Sequence, residues 1–164
     1  PTSVSMVLDY WSKKLNRKDL ALDVPDLVPA IFDKNWGGAG NWPFNTAFAG
    51  SFPGMRAYVT RFSDITELEQ WVEAGFPVVI SSPWHLLQDG RKSTGSGHVV
   101  VVRGFEKNGD VIINDPATDP KGSARCVYKR QNVINAWKKS NNTVYLIYPE
   151  NAKIPFDQFR HWDS

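Results

Sequence analysis

A chain of 164 residues with 41% apolar content is long enough to bury one core unaided, and its single cysteine, Cys126, leaves no partner for an internal disulfide or a cysteine-cluster metal site. A formal net charge of +2 does not argue for nucleic acid as a partner. No apolar run approaches the roughly 20 residues that a membrane-spanning helix needs.

Val4, Val7, Leu8 and Trp11 recur at helical spacing and predict an opening helix. Pro1 suits its first turn, which puts the expected N-cap ahead of Pro1, and the basic stretch Lys13–Lys18 suits its end. A short second helix is expected from Asp26 to Phe32. Residues 35–54, N-W-G-G-A-G-N-W-P-F-N-T-A-F-A-G-S-F-P-G, read as an irregular aromatic loop packed over a core edge or a cleft. Ala57–Phe62 alternates like a strand. Asp64 then caps a helix, with Glu67 completing a capping box, and Gly75 stops it.

Pro77–Ser81 reads as a short central strand and Trp84–Gly97 as a polar, glycine-bearing loop. Val99–Phe105 and Val111–Asn114 form a hairpin, with Asn108-Gly109 as a type I′ turn. Ala124–Tyr128 is a strand, Val133–Lys138 a helix and Thr143–Tyr148 the last strand. The residues after Pro149 read as a tail laid on the surface. The fold class is α+β: helices first, then a mostly antiparallel sheet, with residues 1–149 as one domain and 150–164 as the tail.

The chemistry concentrates in S-G-H-V-V-V-V-R-G-F-E-K-N-G-D-V-I-I-N-D-P-A, residues 96–117. His98 opens one strand of the hairpin and Asp115 ends the other. A carboxylate beside an imidazole fixes its tautomer and stabilises its charged form. Gly95 and Gly97 let a loop bring backbone close to the site, and the valines would hold the ring on a rigid strand. Each residue also has a plainer role: an edge histidine, and an aspartate bonding its own turn.

A two-residue turn would put Val102 opposite Asp115. His98 lies four residues from Val102, so His98 and Asp115 share a sheet face but stand out of register. Contact between them needs a wider turn, a bulge or strong twist.

No nucleophile stands out. Cys126 lies inside an expected strand and reads as a small core residue. Ser3 and Ser5 have no nucleophile-elbow motif around them. His85, His98 and His161 lack metal-ligand spacing, so neither metal nor cofactor is expected. The aromatic loop offers Trp36 and Trp42 as a surface for stacking or for completing a core.

The opening P-T-S-V-S-M-V-L-D-Y-W resembles the segment that follows the active-site cysteine in bacterial papain-like peptidases of the bacteriocin-processing (double-glycine leader) group. G-H-V-V-V-V-R-G-F is similar to that family's histidine strand and V-I-I-N-D-P-A to its aspartate strand. G-A-G-N-W-P-F-N-T-A, V-Y-K-R-Q-N-V-I-N-A-W and T-V-Y-L-I-Y-P also fit, so the resemblance covers the chain up to Pro149. It implies a papain-like fold, an N-terminal helix packed on the sheet, and a Cys-His-Asp triad in which His98 is the base and Asp115 its orienting partner.

The cysteine of the motif would fall two residues before Pro1, and the family's upstream glutamine would precede it. The expectation is therefore a chain cut just after its nucleophile and inactive as a thiol peptidase. The resemblance further implies a secreted or cell-surface bacterial protein acting on a peptide or protein, and a monomer is expected. The alternatives are an inactive papain-like module, binding peptide or cell-wall polymer through Trp36, Asn41, Trp42 and Gly97, and an acyltransferase using the same acyl-enzyme.

Overall fold

The computed structural model describes residues 1–88, 97–118 and 123–162. The chain is α+β and divides into two compact units, Pro1–Val59 with Tyr145–Lys153, and Thr60–Val144 with Ile154–Ser164. The sequence shows no linker because neither unit is continuous: the chain leaves the first unit at Val59 and returns to it at Tyr145.

The first unit is built on α1 (Thr2–Leu15), α2 (Val24–Ile31) and α3 (Trp42–Gly50), with β1 (Met55–Arg61) and β6 (Thr143–Pro149) as neighbouring strands. The stripe Val4, Val7, Leu8 and Trp11 is buried as its spacing requires. The Trp11 indole N–H donates to the Ile147 carbonyl at 2.8 Å, which fastens α1 to β6. Pro1 itself is the cap residue, one position later than expected. Its carbonyl accepts the first helical bond, from Ser5 N–H at 2.9 Å, so the helix starts at Thr2. Asn16 closes α1 in the left-handed conformation (φ 54°).

The expected loop over residues 35–54 is a turn followed by α3. Pro43 sits at the start of α3, where its missing N–H costs nothing. Asn45 and Thr46 return side-chain hydrogen bonds to the carbonyls of Asn41 and Trp42. The apolar pattern hides this helix, because Asn45 and Thr46 face inward while Trp42 and Phe44 face out.

The second unit holds α4 (Ile65–Glu73), β2 (Val78–Ser82), α5 (Trp84–Leu87), β3 (His98–Phe105), β4 (Val111–Asn114), β5 (Arg125–Tyr128) and α6 (Arg130–Lys138). Strands β2 to β5 lie side by side in chain order and every ladder is antiparallel. Val100, Val101 and Val102 are buried, so both faces of β3 are covered there. β-Branched residues suit such a central strand, and each fully buried valine contributes about 1.5–3 kcal/mol. Helix α4 packs on β2 and β3, and α6 packs on β2 and α5.

Three local expectations need correction in this unit. Trp84–Leu87 forms a short helix; residues 89–96 of the expected loop, Gly95 included, lie outside the described residues. Asp64 caps α4 by accepting from Thr66 N–H, but Glu67 accepts from Ser63 N–H, one residue beyond the capping-box donor, while its carboxylate also meets His161 Nδ1 at 2.9 Å. The tail stays at the surface over residues 150–161, but it ends on Trp162, which is buried among Phe62 and Trp71, with ring centroids 5.2 and 5.5 Å away.

Candidate active site

The hairpin of β3 and β4 settles how a histidine and a carboxylate that start out of register come to meet. The turn is not type I′, which needs positive φ at both central residues; here only Gly109 has it (φ 86°). Glu106 N–H bonds the Asp110 carbonyl and Gly109 N–H bonds the Glu106 carbonyl, both at 2.8 Å, leaving a three-residue loop with glycine in the left-handed position. Further along, Val102 pairs with Ile113 and Gly104 with Ile112, so Arg103 is an extra, bulged residue.

Wider turn and bulge act in the same direction. Extending the register past Val101↔Asn114 brings Asp115 across from Val100 rather than Val102, and the offset to His98 falls from four residues to two. Side chains of His98, Val100 and Asp115 then point to one face.

His98 Nε2 lies 2.6 Å from Asp115 Oδ1. Asp115 is wholly buried and both its carboxylate oxygens are engaged. Oδ1 also accepts from Ala117 N–H at 2.8 Å, and Oδ2 accepts from the Tyr128 hydroxyl at 2.7 Å. Its own N–H donates to the Ala124 carbonyl and its carbonyl accepts from the Thr118 hydroxyl. The aspartate therefore ties its own turn and faces the histidine at once.

Burial alone would raise the Asp115 carboxyl, but hydrogen bonds from His98, Ala117 and Tyr128 outweigh it and hold the pKa below the ordinary aspartate range. Burial, with the Asp115 charge beside it, pushes the Tyr128 phenol far above the ordinary tyrosine range, so it stays a donor. An ionised carboxylate can only accept. The proton of the neutral imidazole is thus on Nε2, and Nδ1 is the nitrogen with a lone pair. No hydrogen bond to Nδ1 occurs among the described residues.

Tyr128 is the member of this site that sequence reasoning misses. It pairs with Val111, at the far end of β4 from Asp115, and reaches its partner along the shared face of two strands. No local motif marks such a contact. Cys126 pairs with Ile113 in β5, half-buried with a free thiol, and makes no hydrogen bond with His98.

The candidate binding residues divide between the units. Gly97 precedes His98, exposed, with φ 57°. Trp36, Asn41 and Trp42 belong to the first unit. Trp36 is 62% exposed, yet its ring lies on glycine: a Cβ at Gly40 would come within 2.9 Å of it. Asp33 fixes the base of this turn by accepting from Asn35 N–H, Trp36 N–H and the Asn41 side-chain amide. The Asn41 side-chain amide is thereby committed to the turn, and the residue stands at the N-cap position of α3 without a side-chain cap bond. Trp42 is 52% exposed and meets Tyr145 edge-on. His161 is engaged by Glu67, and no group of three His, Cys, Asp or Glu residues positioned to hold a metal occurs among the described residues.

Comparison with known proteins supplies the frame for this site. No curated protein matches the chain. A solved structure from Bacillus anthracis, described as a C39-like peptidase, shares the fold with a TM-score of 0.65; it is 21% identical, and the match covers 93% of this chain and 88% of that one. The model of the Peptidase_C39 like family matches residues 1–145, and those residues include α1, His98, Asp115 and Tyr128. The chain belongs to the Peptidase_C39 like family.

Proposed function

We propose that this chain is the papain-like domain of a cysteine peptidase, with His98 as general base, Asp115 as its orienting partner and a thiol two residues ahead of Pro1 as nucleophile. The observation that carries this is the 2.6 Å contact of His98 Nε2 with a buried, ionised Asp115, which leaves Nδ1 to exchange protons.

In such a reaction Nδ1 takes the thiol proton and the thiolate adds to the carbonyl carbon of a peptide bond. Hydrogen-bond donors aimed at the developing charge would hold the resulting oxyanion. The C–N bond then breaks, and the leaving amine takes the proton from Nδ1. A water molecule gives a proton to Nδ1 as its oxygen adds to the thioester carbon; the C–S bond breaks, the acid leaves, and the sulfur recovers the proton from Nδ1.

The test is peptide hydrolysis by protein made with the residues encoded ahead of Pro1. His98→Ala lowers kcat/KM by about 10²–10⁴-fold, the range for a lost general base. The chain from Pro1 to Ser164 alone shows no thiol-dependent hydrolysis. Hydrolysis by that chain abolished by Cys126→Ala would move the nucleophile to Cys126.

A second reading, a binding module for peptide or cell-wall polymer, is favoured by the exposed Trp36 ring lying on Gly38 and Gly40. Its test is binding of peptidoglycan fragments or peptides, with loss of at least tenfold in affinity in Trp36→Ala while melting is unchanged.

A further inference from the structure

Ser82 ends β2 and pairs directly with His98 at the start of β3. Directly opposed residues of an antiparallel ladder point to the same face, with Cα atoms about 4.5–5.5 Å apart. Ser82 is wholly buried, and its hydroxyl has no hydrogen-bond partner among the described residues. Two further polar atoms of this segment, Trp84 Nε1 and His85 Nδ1, are buried and unpaired there as well.

An unmade hydrogen bond in the interior destabilises a fold, and alanine would fill the place of Ser82 without that cost. The hydroxyl therefore needs a reason other than resting stability, and its cross-strand neighbour supplies one. Neutral His98 has a lone pair on Nδ1, whereas the charged ring carries N–H groups on both nitrogens. Asp115 accepts from Nε2–H in either state. Once the thiolate has attacked, Nδ1–H lacks its former acceptor until the leaving amine takes the proton.

We propose that Ser82 is a positioning residue for His98, its hydroxyl accepting from Nδ1–H of the charged ring and keeping that ring aimed through proton transfer. This rests on the general-base reading of His98. It adds no covalent step: Ser82 keeps its own proton, and the proton on Nδ1 passes to the leaving nitrogen.

Three substitutions test the proposal in protein carrying its upstream residues. Ser82→Ala and Ser82→Val remove the hydroxyl, and Ser82→Thr, of nearly the same shape as valine, keeps it. The expected result is a fall in kcat of about 10- to 100-fold for alanine and valine, the size of one lost hydrogen bond to a charged group, with KM within about twofold. Threonine recovers most of the rate, and alanine melts no lower than the parent. Equal losses for threonine and valine would make the effect one of packing and overturn the role, as would an undiminished kcat in alanine.

A second measurement stands apart from hydrolysis. In nitrogen-15 NMR at a pH where His98 is charged, Nδ1–H exchanges more slowly with water in the parent than in Ser82→Ala. Equal exchange would refute the Ser82 role even if the enzyme proved active. If no substrate is hydrolysed but exchange differs, the contact stands and the peptidase reading falls.

Discussion

At the scale of single residues, the site depends on a carboxylate that is buried and still ionised. Three donors achieve this, from the His98 ring, the Ala117 backbone and the Tyr128 hydroxyl. Tyr128→Phe removes one of them while keeping the ring, so it is expected to cost about 1.5–3 kcal/mol, the range for a hydrogen bond to a charged group, in urea unfolding at neutral pH. Asp115 also imposes a pH dependence on the fold. Its pKa is lower folded than unfolded, so its stabilisation is fully present above the ordinary aspartate value of about 3.9 and is lost as pH falls through the lowered folded value. The stability gap between the parent and Asp115→Asn should therefore narrow below about pH 4; a gap constant from pH 7 to pH 2 would contradict that origin.

At the scale of elements, the hairpin is where the sequence was most informative and least complete. Alternation alone showed His98 and Asp115 on one face, because side-chain parity survives any even shift of register. It did not show how far apart they lie. That distance depends on a three-residue turn and a bulge at Arg103, and nothing in R-G-F-E-K-N-G-D marks which residue is extra. Gly109 holds the turn in a conformation that other residues reach at about 1–2 kcal/mol, so Gly109→Ala should destabilise by that amount in denaturant titration. The helix α3 escaped for a different reason: glycine and proline around it read as breakers, and its inward residues are polar. Tyr128 escaped because its link to Asp115 runs across strands rather than along the chain.

At the scale of the whole molecule, membership of the Peptidase_C39 like family and the α+β fold agree with the ordered motifs read from the sequence. The division into two discontinuous units does not show in sequence, since each unit is assembled from stretches far apart along the chain. The final segment reads as a surface tail, which holds over residues 150–161 and fails at Trp162, which no sequence pattern marks. Trp162 fills an aromatic cluster with Phe62 and Trp71 rather than lying on the surface. Trp162→Ala is expected to cost about 3–5 kcal/mol in unfolding free energy, as for other buried large-to-small changes, whereas a surface tail would lose almost nothing.

The central claim is that His98, oriented by Asp115, activates a thiol standing just ahead of Pro1. Its most direct test is the rate of iodoacetamide alkylation at neutral pH, mapped by mass spectrometry on protein carrying the residues encoded before Pro1. The predicted result is rapid labelling of a cysteine two residues before Pro1, slowed about tenfold or more by His98→Ala as the thiolate is lost. Labelling confined to Cys126, or an upstream cysteine that reacts equally fast without His98, would contradict it.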